Sequence, residues 1–277
     1  MNVLKIAAFS DGDSGGNPAG VLISDELPSD AQMQRIAADV GFSECVFAAP
    51  TDRGWRVRYF SPESEVPFCG HATIALGAAL ALRCGDGAFL LTLNQAEITV
   101  EGRRDGTVIA AALQSPPTRS TVASPQLVSA ALELFGFTMD DLDPRIPPMR
   151  IHGGADHLVL GVKTREALAS MTYDLHAGRI LMNEAGVVTV LIAYAETTQT
   201  FHTRNAFASG GVYEDPATGA ATAAFAGYLR DIGWPHDGVI DVIQGEDMGM
   251  RSRLRAEFSP VCGSSIRVSG TARLMRD

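Results

Sequence analysis

The sequence predicts an α/β chain of the α+β kind. It expects two pseudo-symmetric domains, each a curled, mostly antiparallel sheet around a central buried helix. Three observations lead there. The stretches 67–82 (PFCGHATIALGAALAL) and 216–230 (PATGAATAAFAGYLR) are runs of small apolar residues at helical length, and a helix apolar all round belongs inside a core. Laid on one another, Gly70 meets Gly219, Ala72 meets Ala221, Thr73 meets Thr222 and Leu80 meets Leu229, so both begin G-x-A-T. The order helix, glycine, strand, strand, loop, buried helix also occurs twice, over 29–82 and 175–230. Strands joined by short links dominate both halves, which favours mixed or antiparallel sheets over a doubly wound one.

Taken in order, residues 3–9 read as a strand and 11–20 (DGDSGGNPAG) as an irregular, Gly-rich loop, with the strand resuming at 20–23. That loop contains no G-x-G-x-x-G opening a helix, so no dinucleotide fingerprint. Residues 29–40 form a helix that Ser29 caps, Gln32 completes as a capping box and Gly41 stops. Strands follow at 45–49 and 55–60; in the second, Trp55, Val57 and Tyr59 alternate with Arg56, Arg58 and Phe60. Behind the first buried helix come strands at 89–93, 98–101 and 107–113. The stretch 115–124 (SPPTRSTVAS) reads as the linker between halves. Pro125–Phe135 is a helix capped by Ser124, with proline at its first position and Gly136 after it. Then come strand 158–162, helix Leu175–Ala185 closed by Gly186, strands 187–194 and 200–203, the second buried helix, and strands 239–243, 254–258 and 266–268. The expected domains are 1–117, completed by a C-terminal strand at 265–277, and 118–264.

The chain has 277 residues, 46% of them hydrophobic and 19% charged, as in a soluble globular protein. A net charge of −10 disfavours nucleic acid or an anionic membrane surface as partner, since both demand basic patches. No basic and apolar leader pattern is visible at the N-terminus, so the expected location is the cytoplasm. The four cysteines (Cys45, Cys69, Cys84, Cys262) form no C-x-x-C pair and read as reduced thiols. The six histidines form no H-x-x-H, so no metal site is expected.

Both buried helices begin with backbone N–H groups that need partners and with the positive end of the helix dipole. Gly70–His71 and Gly219–Ala220 are therefore expected to bind the carboxylate of a small substrate in a cleft between the domains; the bland alternative is glycine serving tight turns only. Glu44 follows the helix stop Gly41 and precedes an apolar strand, a place for an acid or base. Counted from Gly186, the other half has Thr189 there, so the carboxylate is one-sided. At the helix start His71 can donate one hydrogen bond and accept another. Asp215, before Pro216, suits an N-cap or a substrate-polarising role. Cys69 sits beside a helix N-terminus, where thiolate is favoured, but its counterpart is Thr218, which argues against a two-thiol racemase. Glu63 and Glu65 are weaker carboxylate candidates.

The motifs GGNPAGV (15–21), GFSECVF (41–47), FSPESEVPFCGHATIALGAAL (60–80), EDPATGAATA (214–223) and VIQGEDMG (242–249) resemble, in order and over nearly the whole chain, the PhzF family of phenazine-biosynthesis isomerase-like proteins. The resemblance implies the diaminopimelate epimerase fold, a homodimer, and no metal or organic cofactor. It makes Glu44 the proton shuttle, and places His71 and Asp215 at the substrate, with Asn17, Gly70, Thr218, Gly219 and Ala220 as further binding residues. The chain departs from the pattern at Ala220, where the phenazine enzyme carries serine, and at 249–252 (GMRS in place of G-R-P-S). The expected activity is a cofactor-independent isomerase moving a proton on a small carboxylate-bearing metabolite. Two alternatives stand beside it: a non-catalytic small-molecule binder, and a Cys69-dependent racemase or dehydratase.

Overall fold

The computed structural model describes residues 2–275; Met1 and the last two residues of the expected closing strand, 276 and 277, lie outside the described residues. The chain divides into two compact units, one running through Gln114 and resuming at Ser269, the other spanning Ser115–Val268.

The first unit contains β1 (Leu4–Ala8), β2 (Asn17–Ile23), α1 (Asp30–Val40), β3 (Cys45–Thr51), β4 (Gly54–Phe60), β5 (Glu65–Val66), α2 (Gly70–Cys84), β6 (Gly87–Thr92), β7 (Glu97–Asp105) and β8 (Val108–Gln114). Strands β1 and β2 pair antiparallel, β2 and β3 parallel, β3 and β4 antiparallel, and β4 and β6 parallel. Antiparallel β6–β7 and β7–β8 pairs complete the run. Each parallel pair is joined through a helix, as parallel pairing requires. For β2 and β3 that helix is α1, whose Gln32 Oε1 accepts from the Ser29 backbone N–H at 3.0 Å and whose stop, Gly41, has φ 71°. For β4 and β6 it is α2, buried from His71 to Ala81 and packed against β1, β2, β3, β7 and β8. Its small residues are a packing requirement. A Cβ on Gly77 would stand 2.6 Å from Val100 Cγ2, and one on Gly102 of β7 would press into the Gly77 carbonyl. On the other face of the sheet, Met33 and Ala37 of α1 pack on Leu22, Cys45, Phe47 and Phe60.

The second unit contains β9 (Arg119–Val122), α3 (Pro125–Phe135), β10 (Met149–His152), β11 (Asp156–Val162), α4 (Arg165–Ala169), α5 (Leu175–Ala185), β12 (Thr189–Ala195), β13 (Thr200–Phe207), β14 (Val212–Glu214), α6 (Gly219–Asp231), β15 (Val239–Gln244) and β16 (Ser252–Glu257). The pairings repeat those of the first unit. Strands β10 and β11 are antiparallel, β11 and β12 parallel, β12 and β13 antiparallel, β13 and β15 parallel, and β15 and β16 antiparallel. The central helix is α6, buried from Ala221 to Arg230, with Phe225 edge-on to Phe201 at 5.1 Å. Helices α3 and α5 cover the opposite face through Leu132, Phe135 and Met182, packed with Leu158, Val190 and Ile192. The last strand, β17 (Arg267–Leu274), pairs with β1 and β8. It closes the sheet β1-β2-β3-β4-β6-β7-β8-β17 into a ring around α2.

The register aligns the two units residue by residue. Cys45 lies opposite Phe60 and Phe60 opposite Glu65; Val190 lies opposite Ala206 and Ala206 opposite Glu214. Glu44 therefore falls on Thr189 and Tyr59 on Asn205.

Two local expectations are corrected. The loop expected over 11–20 ends earlier, because Asn17 and Pro18 pair with Ala8 and Ala7. Proline fits there because pairing with β3 begins only at Gly20. The expected linker holds β9, whose Ser120-Thr121-Val122 pairs with β10. The five-residue α4 and four-residue β10 lie where no periodicity is long enough to read.

Candidate active site

Glu44 sits where α1 has turned back and β3 begins. Its carbonyl accepts from the Gly20 N–H at 3.3 Å, which ties this corner to β2. Its carboxylate reaches the start of α2, where Glu44 Oε2 stands 3.6 Å from His71 Nε2. The other ring nitrogen, His71 Nδ1, is 3.4 Å from Cys69 Sγ. One imidazole thus bridges a thiol and a carboxylate. The side chain of His71 is only 6% exposed and that of Glu44 15%, so the cluster meets solvent on the Glu44 side.

Tyr59 pins this helix start. Its hydroxyl donates to Thr73 Oγ1 at 2.7 Å, and Thr73 Oγ1 donates to the Cys69 carbonyl at 2.7 Å. Burial raises the Tyr59 pKa, which keeps the phenol a donor. The first helical hydrogen bond runs from Thr73 N–H to the Cys69 carbonyl. The N–H groups of Gly70, His71 and Ala72 thus precede the helical ladder, and Cys69 makes no side-chain cap.

The second unit builds a matching helix start from other parts. Asp215 is buried, its backbone N–H donating to the Asn205 carbonyl at 3.0 Å. Thr218 Oγ1 donates to Asp215 Oδ2 at 2.5 Å. Gln244 Nε2 donates to the Asp215 carbonyl at 2.7 Å and to Thr218 Oγ1 at 3.0 Å, while its Oε1 accepts from Thr218 N–H at 3.3 Å. Gln244 does here what the Tyr59–Thr73 bond does in the first unit, and no sequence reading assigned it a role. Just upstream, Glu214 is held by a buried ion pair, Arg204 Nη2 to Glu214 Oε2 at 2.5 Å. Arg204 also donates to the carbonyls of Ala169 and Met171. Thr222 N–H bonds the Thr218 carbonyl, so Gly219, Ala220 and Ala221 open α6 as Gly70 to Ala72 open α2. The side chain of Thr218, expected at substrate, is committed to Asp215.

The one-sidedness of Glu44 has a structural cause. Its counterpart Thr189 is buried and bonds His157 Nδ1 at 2.6 Å, so that corner of the second unit is core. Burial lowers the His157 pKa to about 3. Asn17 lies buried at the start of β2. The weaker candidate Glu65 is taken up by Arg58, in two hydrogen bonds of 2.7 and 2.6 Å that hold its carboxyl below the usual range. Glu63 is exposed.

The sequence profile of the phenazine biosynthesis-like proteins matches residues 6–277. An uncharacterized isomerase of Mesorhizobium japonicum is 30% identical over 100% of this chain and 97% of its own length. The trans-2,3-dihydro-3-hydroxyanthranilate isomerase of Pseudomonas aeruginosa is 31% identical over 96% of this chain and 94% of its own. The crystal structure of a Bacillus anthracis phenazine biosynthesis protein of the PhzF family superposes with a TM-score of 0.86, at 22% identity, covering 100% of this chain and 98% of that one. These likenesses place the chain among the isomerases. It belongs to the phenazine biosynthesis-like (PhzF) family, and its fold is the diaminopimelate epimerase-like one expected from the sequence.

Proposed function

We propose that the chain is a cytoplasmic, homodimeric, cofactor-independent isomerase that moves a proton on a small carboxylate-bearing metabolite. Glu44 takes the proton from a carbon beside an unsaturated or carbonyl group and returns it elsewhere on the same molecule. His71 and Asp215 hold and polarise the substrate, and the N–H groups at Gly70–His71 and Gly219–Ala220 stabilise its carboxylate or the developing enolate charge. The observation that carries this reading is Glu44 Oε2 standing 3.6 Å from His71 Nε2 at a helix start, half-buried and still open to solvent. A proton shuttle needs that combination, and separations in a ligand-free site tighten when substrate binds. The Pseudomonas aeruginosa relative is named for a hydroxylated, partly reduced anthranilate. Ala220 lacks a hydroxyl at a helix start expected to bind substrate, which supports a different small acid here.

The test is hydrogen exchange in heavy water, read by proton NMR over a panel of cyclic amino and unsaturated acids. Glu44→Gln abolishes exchange and turnover while binding stays nearly intact; unchanged turnover removes Glu44 from the mechanism. A second reading, Cys69 as the acid/base of a racemase or dehydratase, draws on its 3.4 Å approach to His71. In that case Cys69→Ser, not Glu44→Gln, abolishes exchange.

A further inference from the structure

Three chemically different metal-ligating side chains converge at the start of α2. One ligand atom each from Glu44, Cys69 and His71 lies within 4.8 Å of the others. Taken through the ring nitrogen that faces the carboxylate, His71 Nε2 is 4.0 Å from Cys69 Sγ and 3.6 Å from Glu44 Oε2. Zinc bonds of about 2.3 Å to sulfur and about 2.0–2.2 Å to nitrogen and oxygen, at tetrahedral angles, set such atoms roughly 3.4–3.5 Å apart. Both separations exceed that by about half an ångström or less, which rotation of the Glu44 side chain and a small tilt of the imidazole supply.

The donor set also selects the ion. A thiolate with an imidazole and a carboxylate suits zinc rather than magnesium or calcium, and three protein ligands leave a fourth position open. Cys69 stands at a helix N-terminus, which favours the thiolate that zinc needs. The route in is the Glu44 side, because Cys69 and His71 are buried and Glu44 is not.

We propose that Glu44, Cys69 and His71 form a reversible zinc site, and that zinc held there inhibits the enzyme. The inhibitory half rests on the functional reading above: a carboxylate donating its lone pair to zinc cannot accept a substrate proton. On binding, the Cys69 S–H bond breaks, its proton leaves to solvent, and sulfur, Nε2 and one carboxylate oxygen each donate a pair to the ion. The ion is an inhibitor, distinct from any cofactor.

The experiment uses the full chain carrying Cys84→Ser and Cys262→Ser, which removes the two exposed thiols. Zinc alone is titrated calorimetrically, and cobalt(II) alone is followed by absorption. The expected result is one ion per chain with a thiolate-to-cobalt charge-transfer band. Zinc affinity and band are both lost on adding Cys69→Ser or, as a second variant, Cys69→Ala, each checked for folding by circular dichroism. Zinc binding unchanged by both variants, or cobalt bound without the band, overturns the site. Zinc bound at the site without slowing exchange overturns the inhibitory half. Metal binding is read without turnover, in the chain that keeps Glu44. Turnover that survives Glu44→Gln therefore refutes the proton-shuttle reading, while a cobalt band in the Glu44-bearing chain leaves the zinc site standing.

Discussion

Acidification should destabilise the second unit through His157 more than through an ordinary surface histidine. His157 is 1% exposed, and its Nδ1 is bonded to Thr189 Oγ1 at 2.6 Å. Desolvation lowers its pKa from 6.5 to about 3. A histidine with a depressed folded pKa leaves the unfolded chain binding more protons between the two values. Stability from this group is therefore fully present above about pH 6.5 and is lost as pH falls towards 3. At pH 5 the unfolded imidazole is almost fully protonated and the folded one almost fully neutral. With 1.36 kcal/mol per pH unit, the 1.5 units between 6.5 and 5 amount to about 2 kcal/mol. The assay is urea unfolding at pH 7.5 and pH 5.0, followed by Trp234 fluorescence, since that indole is buried in the same unit. The comparison protein is His157→Asn, whose amide keeps a partner for Thr189 but does not titrate. The wild type should lose about 2 kcal/mol more than the variant between the two pH values. Every other titrating group is common to both proteins and cancels. Parallel pH dependences would refute the argument that burial holds this imidazole neutral.

Two further variants test what holds α6 and α2 in place. Glu214→Ala strips the carboxylate from a guanidinium that is 9% exposed. It should cost about 3–5 kcal/mol in chemical denaturation, as breaking a buried pair does; a loss under 1 kcal/mol would show that Arg204 is satisfied by the Ala169 and Met171 carbonyls alone. Gly102→Ala presses a methyl into the Gly77 carbonyl of α2 and against Ala81 Cβ at 3.0 Å. It should cost roughly 1–3 kcal/mol by overpacking, seen as a lowered melting temperature; an unchanged one would mean the ring around α2 is loose.

The features that could be read from sequence are those with a local physical cause. The capping box at Ser29 and Gln32, the glycine stops at 41, 136 and 186, and the two all-apolar helices each depend on residues within one turn of one another. Strand β9 was not legible, because Pro116, Pro117 and Arg119 make its surroundings look like a loop; what makes it a strand is β10, about thirty residues on. The site divides the same way. That Glu44 and His71 are suited to proton chemistry is legible from their places beside a helix stop and a helix start. That they come within 3.6 Å of one another depends on where β3 enters the sheet relative to α2. Gln244 was invisible because its amide meets Asp215 and Thr218 only through the parallel pairing of β13 with β15. The Arg204–Glu214 pair was hidden too, since the strands that carry it pair through a register shift at Ala206/Phe207.

The repeated topology explains why a duplicated frame carries unlike chemistry at matching positions. Both units need a small-residue helix inside a curled sheet, so G-x-A-T and the glycines at close approaches recur. The first turn of each helix needs a fastener, but the frame does not dictate which. Tyr59 reaches Thr73 in the first unit; Asn205, in Tyr59's place, is too short to span that distance, and Gln244 fastens α6 from another strand. The corner before the parallel strand is equally free. In one unit it is sealed by Thr189 and His157, both buried and joined through Thr189 Oγ1 and His157 Nδ1. In the other it stays open and holds Glu44 beside an imidazole and a thiol. An acid confined to one unit suits a reaction in which a single group removes a proton and delivers it again, whereas inversion at one carbon calls for two groups on opposite faces. The differences that bear on this choice are at the Glu44/Thr189 position and at the helix N-caps Cys69 and Thr218, outside the G-x-A-T turns that the two units share.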